Sequence, residues 1–371
     1  MPAPRIAADT ASRSPGPPET RIRQDPTCAL RAKELAHAAG FDLAGVASAA
    51  PPPHLDFLAE WVERGYAGEM DYLARRLRER GDLRAAFPWA RSVLCVGLQY
   101  DTPLPYSTQA PADRGWISRY AWGDDYHEIM QRRLDRLAED LRRALGPCHL
   151  RSYVDTGPIV ERAYAVAAGL GAWGKNTCLL HPVHGSWFFL GEIVTDLDLP
   201  ADGARRDLCG RCRACLDACP TGALVAPYVL DATRCIGYLT VELKGPIPEG
   251  GRQGIGRHVF GCDICQDVCP WNRKRRRRGP AAFNPRLGLD SPSLEDLAGL
   301  DEDAFRRRFR GSPVKRAKRR GLLRNVAVAL GNLGGSRSIL ELLAADPDPL
   351  VREHALWALR HSEPRGPGQS R

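Results

Sequence analysis

Helical periodicity marks three segments in the first half of the chain. Residues Tyr126–Leu145 place apolar side chains three or four positions apart and stop at Gly146-Pro147, which predicts an amphipathic helix ending on a glycine. Leu30–Ala39 predicts a shorter helix closed by Gly40, and Leu55–Arg80 predicts helical structure interrupted by two glycines.

Three other segments have the composition of strands. Ser92–Leu98 is rich in β-forming residues and bounded by turn residues, which predicts a buried strand, and Leu150–Val154 and Trp187–Val194 have similar patterns. Helices and strands mixed in this way predict an α/β or α+β body over residues 28–205.

The C-terminal part repeats a helical pattern. Leu322–Leu333 and Leu350–Leu359 carry apolar residues at i, i+3, i+4 and i+7, and Ile339–Leu343 predicts a short helix between them. This pattern predicts about one and a half units of an all-α HEAT-like repeat. Because so few repeats are not stable alone, we expect the segment to pack on the main body.

Eight of the twelve cysteines lie between residues 209 and 269. One group reads C-x2-C-x2-C-x3-C-P, a second reads C-x2-C-x3-C-P, and a single cysteine lies between them. The first spacing is that of bacterial ferredoxins, in which the fourth cysteine binds the other cluster. The predicted ligands of two 4Fe–4S clusters are Cys209, Cys212, Cys215 and Cys269 for one, and Cys219, Cys235, Cys262 and Cys265 for the other.

Structural zinc is the alternative for these thiols, because zinc sites also use C-x2-C pairs. Zinc ribbons, however, use separated pairs rather than a three-cysteine run closed by x3-C-P. The remaining cysteines are interpreted as small buried hydrophobic residues: Cys28, Cys95, Cys148 and Cys178.

Length and composition predict a soluble globular chain of two or three domains. Its 371 residues contain no apolar run long enough to span a membrane, and the first 27 lack the apolar core of a secretory signal. Cysteine-rich chains that are not exported are expected in the reducing cytoplasm. The predicted divisions are a disordered tail (1–27), a catalytic body (28–205), a ferredoxin-like module (206–272), a basic linker (273–314), the repeat (315–362) and a second tail (363–371).

Positive charge is concentrated near the C-terminus. Residues 273–371 contain 22 Lys/Arg and 11 Asp/Glu, although the whole chain carries only +9. Three blocks, 273–278, 306–310 and 315–320, predict contact with a polyanion, since each neutralised phosphate releases a counterion. A solvated basic face is the alternative.

Two segments of the body have the composition of a ligand site. Asp155 follows a predicted strand and precedes a Gly-Pro turn, and residues 169–177 form a glycine-rich stretch that ends with Lys175 and Asn176. Such a stretch lets the backbone approach a ligand closely. The alternatives are a capping or turn aspartate and an ordinary loop.

Together these segments closely resemble the epoxyqueuosine reductases. The resemblance runs in order from about residue 28 to residue 362. It is carried by YAWGDDYH (120–127), DTGP (155–158), GAWGKNT (171–177), GCDICQDVCPWN (261–272) and RNVAVALGN (324–332).

The resemblance implies a nitroreductase-like, cobalamin-binding body related to reductive dehalogenases. The implied reaction is the reduction of epoxyqueuosine to queuosine at the wobble position of tRNA, the last step of queuosine biosynthesis, using cobalamin and two 4Fe–4S clusters. It also implies a monomer without membrane association that takes electrons from an external low-potential donor. The D-x-H-x-x-G signature of some cobalamin proteins is absent, because Met130 stands where its glycine would be.

Asp155 is implied as the proton donor in the cobalamin pocket. Opening the epoxide creates an alkoxide that an acid must protonate, and we expect burial among aromatic residues to raise the pKa of Asp155 for this role. The residues expected to contact cobalamin or the modified nucleoside are Met70, Tyr72, Tyr120, Asp155, Lys175, Asn176, Thr240 and Glu242.

Two other functions remain open. A reductive dehalogenase acting on a small molecule would share the cofactor chemistry, but the basic C-terminal part argues against it. An electron-transfer ferredoxin would explain the cysteines alone, but the large body argues against it.

Overall fold

The computed structural model describes residues 25–273 and 279–362. The predicted N-terminal tail lies outside the described residues up to position 24, and the C-terminal tail 363–371 lies outside them entirely. Of the basic run 273–278, only Arg273 belongs to the described part. The proposed domain boundaries stay a prediction.

An antiparallel sheet forms the centre of the body. The strands in chain order are β1 (Leu43–Ser48), β2 (Ser92–Gln99), β3 (Trp116–Ile117), β4 (Leu150–Tyr153), β5 (Ala172–Trp173), β6 (Leu179–Leu180), β7 (Phe188–Thr195), β8 (Leu224–Ala226), β9 (Val229–Leu230) and β10 (His258–Phe260). The main sheet has the order β1-β2-β7-β4, and each neighbouring pair is antiparallel. The three strands expected between residues 92 and 194 are confirmed, and every residue of β2 is buried.

Helices cover both faces of this sheet. The α-helices in chain order are α1 (Pro26–Ala38), α2 (Phe57–Glu63), α3 (Asp71–Ala74), α4 (Leu77–Gly81), α5 (Tyr126–Leu145), α6 (Glu161–Ala167), α7 (Ala214–Asp217), α8 (Glu249–Arg252), α9 (Ile264–Asp267), α10 (Pro270–Arg273), α11 (Leu294–Ala298), α12 (Glu302–Arg308), α13 (Lys318–Leu333), α14 (Arg337–Ala344) and α15 (Pro349–Ser362). Apolar residues of α1 and α5 share one core with the sheet, and those of α6 share another.

The two ends of helix α5 are those that the sequence predicts. The Asp125 carboxylate accepts a hydrogen bond from the His127 N–H, and Gly146 ends the helix with a φ of 86°. Helix α1 instead begins at Pro26, four residues before the predicted start at Leu30. Asp25 caps it by accepting from the Thr27 N–H at 2.8 Å, a start signal that apolar periodicity does not detect.

The C-terminal helices pack on the main body through one shared core. Helix α13 lies at the centre of this region, and its residues 321–331 are all buried. Its buried polar side chains bind a short π-helix, Tyr238–Glu242, which follows the isolated cysteine Cys235. The helical C-terminal region is therefore joined to the cysteine-rich segment.

Within the described ranges, no helix combines the length and apolar character needed to cross a membrane.

Candidate active site and cysteine clusters

The four cysteines of the first predicted set line one cavity. Its wall consists of cysteine loops, the glycine-rich stretch and the start of α10, with the residues Cys209, Cys212, Cys215, Cys269, Lys175, Asn176, Leu180, Ala214, Pro270 and Trp271. The Lys175 backbone N–H donates to Cys209 Sγ at 3.4 Å, the kind of hydrogen bond that tunes a cluster sulfur. Four thiols around a shared space fit the donor set of one 4Fe–4S cluster.

The thiols of the second set also lie near one another. Burial raises the pKa of Cys262 well above its usual value, and the nearby Cys235 and Cys219 raise it further. Cys265 interacts electrostatically with Cys262 and Cys235. In the described ranges no three His, Cys, Asp or Glu side chains converge on a single ion site. A 4Fe–4S cluster carries its thiolates on four separate irons rather than on one.

Cys178 lies beside both sets, although its sequence context predicted only a small buried residue. A hydrogen bond with Cys265 lowers the pKa of Cys178 to about 7, and Cys178 also interacts electrostatically with Cys235 and Cys269. It is therefore a ninth thiol of the cysteine module, not merely a small packing residue. Its position directly after the glycine-rich stretch is the sequence feature that could have indicated a role near the clusters.

Asp155 lies in the turn between β4 and α6. Its φ is +58°, a left-handed conformation that aspartate tolerates better than most residues. The turn is tight, because a Cβ on Gly157 would lie 2.6 Å from the Tyr153 ring. The Asp155 side chain is 54% exposed, so its carboxylate faces a space that a ligand can enter.

The carboxylate of Asp155 is held by the first turn of α5. The Tyr126 hydroxyl donates to Asp155 Oδ2 at 2.9 Å, and His127 Nε2 lies 3.7 Å from the same oxygen. The Tyr126 ring stacks on Phe189 of β7, with centroids 4.2 Å apart. Helix α5 and the sheet together fix the position of this carboxylate.

The expected rise in the pKa of Asp155 is wrong. Burial raises it, but the nearby His127 imidazole and the hydrogen bond from Tyr126 outweigh that effect and lower the pKa below its ordinary value. For His127, burial lowers the pKa, whereas the hydrogen bond with Asp125 and the nearby Asp155 carboxylate raise it to about 9. At neutral pH the proton of this pair therefore rests on the imidazole.

Two tyrosines and an ion pair surround the Asp155 carboxylate. Tyr72, 44% exposed, and Tyr120, which is partly buried, interact electrostatically with Asp155, Glu242 and Arg316. Arg316 Nη2 lies 2.8 Å from Glu242 Oε2. Three of the predicted contact residues (Tyr72, Tyr120 and Glu242) thus come together near Asp155.

The other predicted contacts use their polar atoms elsewhere. Lys175 Nζ donates to the Gly210 and Cys212 carbonyl oxygens, and Asn176 Nδ2 donates to the Cys265 carbonyl oxygen at 3.3 Å. Both residues therefore support the cysteine loops. The buried Thr240 hydroxyl donates to Ile236 O and accepts from the Gly261 N–H, and Met70 packs against the C-terminal core.

Most of the basic block 315–320 is paired within the protein. The four ion pairs are Lys315 with Asp125, Arg316 with Glu242, Arg319 with Asp346 and Arg320 with Asp348. The sequence predicted contact of the whole block with a polyanion, whereas these ion pairs attach the segment to the body and to the last helices.

Two protein-family models match the chain. Residues 208–272 match the 4Fe-4S double cluster binding domain. Residues 80–156 match the model described as Epoxyqueuosine reductase QueG, DUF1730.

Known epoxyqueuosine reductases are similar to the chain along most of its length. The Pseudomonas aeruginosa enzyme is 45% identical over 339 residues, 89% of this chain and 94% of that protein. The Xanthomonas campestris enzyme is 43% identical over 344 residues, 91% of this chain and 97% of that protein.

Solved structures agree with these sequence matches. An epoxyqueuosine reductase crystallised with a tRNA-Tyr epoxyqueuosine-modified tRNA stem loop superposes with a TM-score of 0.82 at 32% identity, covering 90% of this chain and 89% of that one. The Bacillus subtilis enzyme, whose structure has its aspartate catalytic loop swung out of the active site, gives a TM-score of 0.81 at 31% identity over 90% of each chain. This chain belongs to the epoxyqueuosine reductase family.

Proposed function

We propose that this protein reduces epoxyqueuosine in the anticodon loop of tRNA to queuosine. The reaction consumes two electrons and two protons and releases the epoxide oxygen as water. The observation that carries the proposal is the Asp155 carboxylate, open on one side and held by Tyr126 and His127 on the other. The epoxyqueuosine-modified stem loop bound by a structural relative supports the choice of substrate.

The geometry of these residues suggests how a proton reaches the substrate. His127 holds a proton at neutral pH and lies 3.7 Å from Asp155 Oδ2. Transfer from Nε2 to the carboxylate would load Asp155 as the acid for the developing alkoxide. The Tyr126 hydroxyl keeps Oδ2 in place during the transfer.

The proposed cofactors are two 4Fe–4S clusters on the cysteine sets and cobalamin beside Asp155. For cobalamin, the fit rests on the half-exposed Asp155 and Tyr72, which leave an open face next to the aromatic Tyr120 and Tyr126. The bound groups would supply electrons to the epoxide from an external low-potential donor. In this arrangement the cysteine loops hold the clusters, and Arg316 with Glu242 borders the substrate side.

We also propose that the C-terminal part holds the tRNA. In the blocks 306–310 and 315–320, the exposed side chains of Arg307, Arg310 and Lys318 form no ion pair with residues that the structure describes, so they are available to contact phosphates. Helices α13 to α15 would act as a HEAT-like repeat that supports this surface. We expect a cytoplasmic monomer.

One assay tests the function. The protein is purified anaerobically, its cobalamin spectrum is recorded, and it is incubated with epoxyqueuosine-containing tRNA and a low-potential reductant. Nucleosides are then quantified by mass spectrometry. We expect epoxyqueuosine to be converted to queuosine, with no conversion when reductant is omitted. Cobalamin binding without conversion of the tRNA would contradict the proposal and favour a dehalogenase.

A further inference from the structure

A second carboxyl group is buried behind Asp155. Glu192 lies in the middle of β7 and is 0% exposed to solvent. Neither of its carboxylate oxygens has a hydrogen-bond donor among the residues that the structure describes. An ionised carboxylate without a donor is strongly disfavoured in such a place.

The carboxyl group that interacts with Glu192 is that of Glu161, the first residue of α6. The two carboxyl groups are close enough for each to affect the pKa of the other, and the pairing of Tyr153 with Glu192 across β4 and β7 brings both near Asp155. Glu161 Oε1 also accepts a hydrogen bond from the Asp155 backbone N–H. Two carboxyl groups this close can hydrogen-bond only if one of them is protonated.

The surroundings favour retention of that proton. Burial and the nearby Asp155 raise the pKa of Glu161 to about 7, and burial raises that of Glu192 well above its usual value. Charged or titratable neighbours on the packed elements are Asp155 after β4, Tyr126 on α5, Arg162 on α6, Arg80 on α4 and Cys95 on β2. Arg162 favours the ionised form of Glu161 but does not outweigh burial.

We propose that Glu161 and Glu192 share one proton and form a proton store behind Asp155. This inference rests on the proposed function, because removal of the epoxide oxygen as water consumes two protons and Asp155 delivers one at a time. His127 loads Asp155 for the first transfer. The carboxyl pair reloads the Asp155 carboxylate for the second, and after product release solvent returns one proton to the pair and one to His127. Glu192 acts through Glu161 and is a positioning residue.

Infrared spectroscopy of the resting protein tests the shared proton without substrate. We expect the C=O band of a protonated carboxyl group at pH 6, where a free glutamate with a pKa of about 4.3 is ionised. Burial also raises the pKa of Asp267 to about 7, so this residue contributes a signal that stays in every variant. The component that belongs to the pair should disappear in Glu192→Gln and in Glu161→Gln and persist in the surface control Glu34→Gln. A signal in both variants that equals that of the unmodified protein would overturn the proposal.

The pH dependence of turnover tests the role of the store. In the unmodified protein the rate should fall as the pH rises through about 7, as the pair loses its proton. In Glu192→Gln we expect about tenfold slower turnover and loss of this pH dependence, with unchanged iron content. An unchanged rate and pH profile would contradict the role. If the unmodified protein failed to convert the tRNA while the infrared component of the pair was present, the proposed function would fail and the shared proton would stand.

Discussion

At the residue scale, the proton that the proposed function needs at Asp155 rests on a neighbouring residue, His127. The contacts of Asp155 with His127 and Tyr126 favour the ionised carboxylate, contrary to the effect of burial that the sequence suggested. In the proposed mechanism the proton moves from His127 Nε2 to Asp155 Oδ2, and these two atoms, now 3.7 Å apart, must first approach to hydrogen-bonding distance. Catalytic use of Asp155 therefore depends on His127.

Replacement of Asp155 tests its role as proton donor. Asp155→Asn should reduce turnover at least about 100-fold, because an amide cannot deliver the proton. The backbone should be preserved, since asparagine also tolerates the left-handed conformation at φ +58°. Iron content and the cobalamin spectrum should match those of the surface control Asp303→Asn. Full activity would remove Asp155 from the mechanism.

The pKa of His127 predicts a pH-dependent contribution to stability. Because folding raises this pKa from about 6.5 to about 9, the contribution is complete below pH 6.5 and is lost as the pH rises through 9. Over this pH interval, the free energy of unfolding of the unmodified protein should therefore fall by about 1 kcal/mol more than that of His127→Gln. The value is small because the His127 side chain is one-third exposed. Urea unfolding at pH 6 and pH 9.5 measures the difference. An equal change in both proteins would contradict the prediction.

At the element scale, helix α13 holds the π-helix that carries Thr240 and Glu242. The buried Arg324 donates to the carbonyl oxygens of Leu239, Leu243 and Gly245, and Asn325 Nδ2 donates to those of Thr240 and Val259. A π-helix leaves backbone carbonyls that need partners, and α13 provides them. The C-terminal helices therefore shape one side of the candidate site.

Removal of the Asn325 amide tests this connection. Asn325→Ala should lower the free energy of unfolding by about 2 kcal/mol, because two buried carbonyl oxygens lose their donor. Urea unfolding measures the loss, with the exposed Arg360→Ala on α15 as the control. A change within about 0.5 kcal/mol would show that the carbonyl groups find other partners.

The two cysteine sets predict which variants affect the same cluster. Cys209→Ser and Cys269→Ser should each remove one 4Fe–4S cluster, about four irons, and leave the same residual electron paramagnetic resonance spectrum after reduction. Cys219→Ser and Cys262→Ser should each remove the second cluster and share a different residual spectrum, that of the first cluster. The control Cys148→Ser should retain all iron. If Cys269→Ser resembled Cys262→Ser, the crossed assignment would be wrong.

At the scale of the whole molecule, fewer basic side chains are free to bind RNA than the C-terminal sequence contains. Four of the five basic residues at 315–320 form ion pairs, which leaves Lys318 in that block together with Arg307 and Arg310 near it. The affinity for tRNA should still depend on salt, but with few phosphate contacts from these residues.

Charge reversal on this surface tests the tRNA contact. Arg307→Glu combined with Lys318→Glu should weaken tRNA binding and reduce the slope of log affinity against log salt by about two, one for each lost phosphate contact. Filter binding at several salt concentrations measures both quantities. The control Arg31→Glu on α1 should leave the slope unchanged. A salt-independent affinity for tRNA would contradict an electrostatic contact.

The sequence by itself determined the features that depend on short-range spacing. The bounds of α5, the strands at 92–99 and 188–195 and the candidate Asp155 follow from periodicity and turn residues, because these signals act over a few positions. The grouping of the cysteines follows from the fixed geometry of a ferredoxin loop, and it stays a prediction until the clusters are measured.

Only the tertiary structure decided which distant residues meet. The antiparallel strand order brings Glu192 of β7 behind Asp155, and the start of α5 brings His127 to its carboxylate. Long-range ion pairs, such as Lys315 with Asp125, turn a predicted RNA-binding block into an internal attachment. No spacing rule could predict these contacts, because a pKa or an ion pair depends on all the charges within a few ångströms, whatever their separation along the chain.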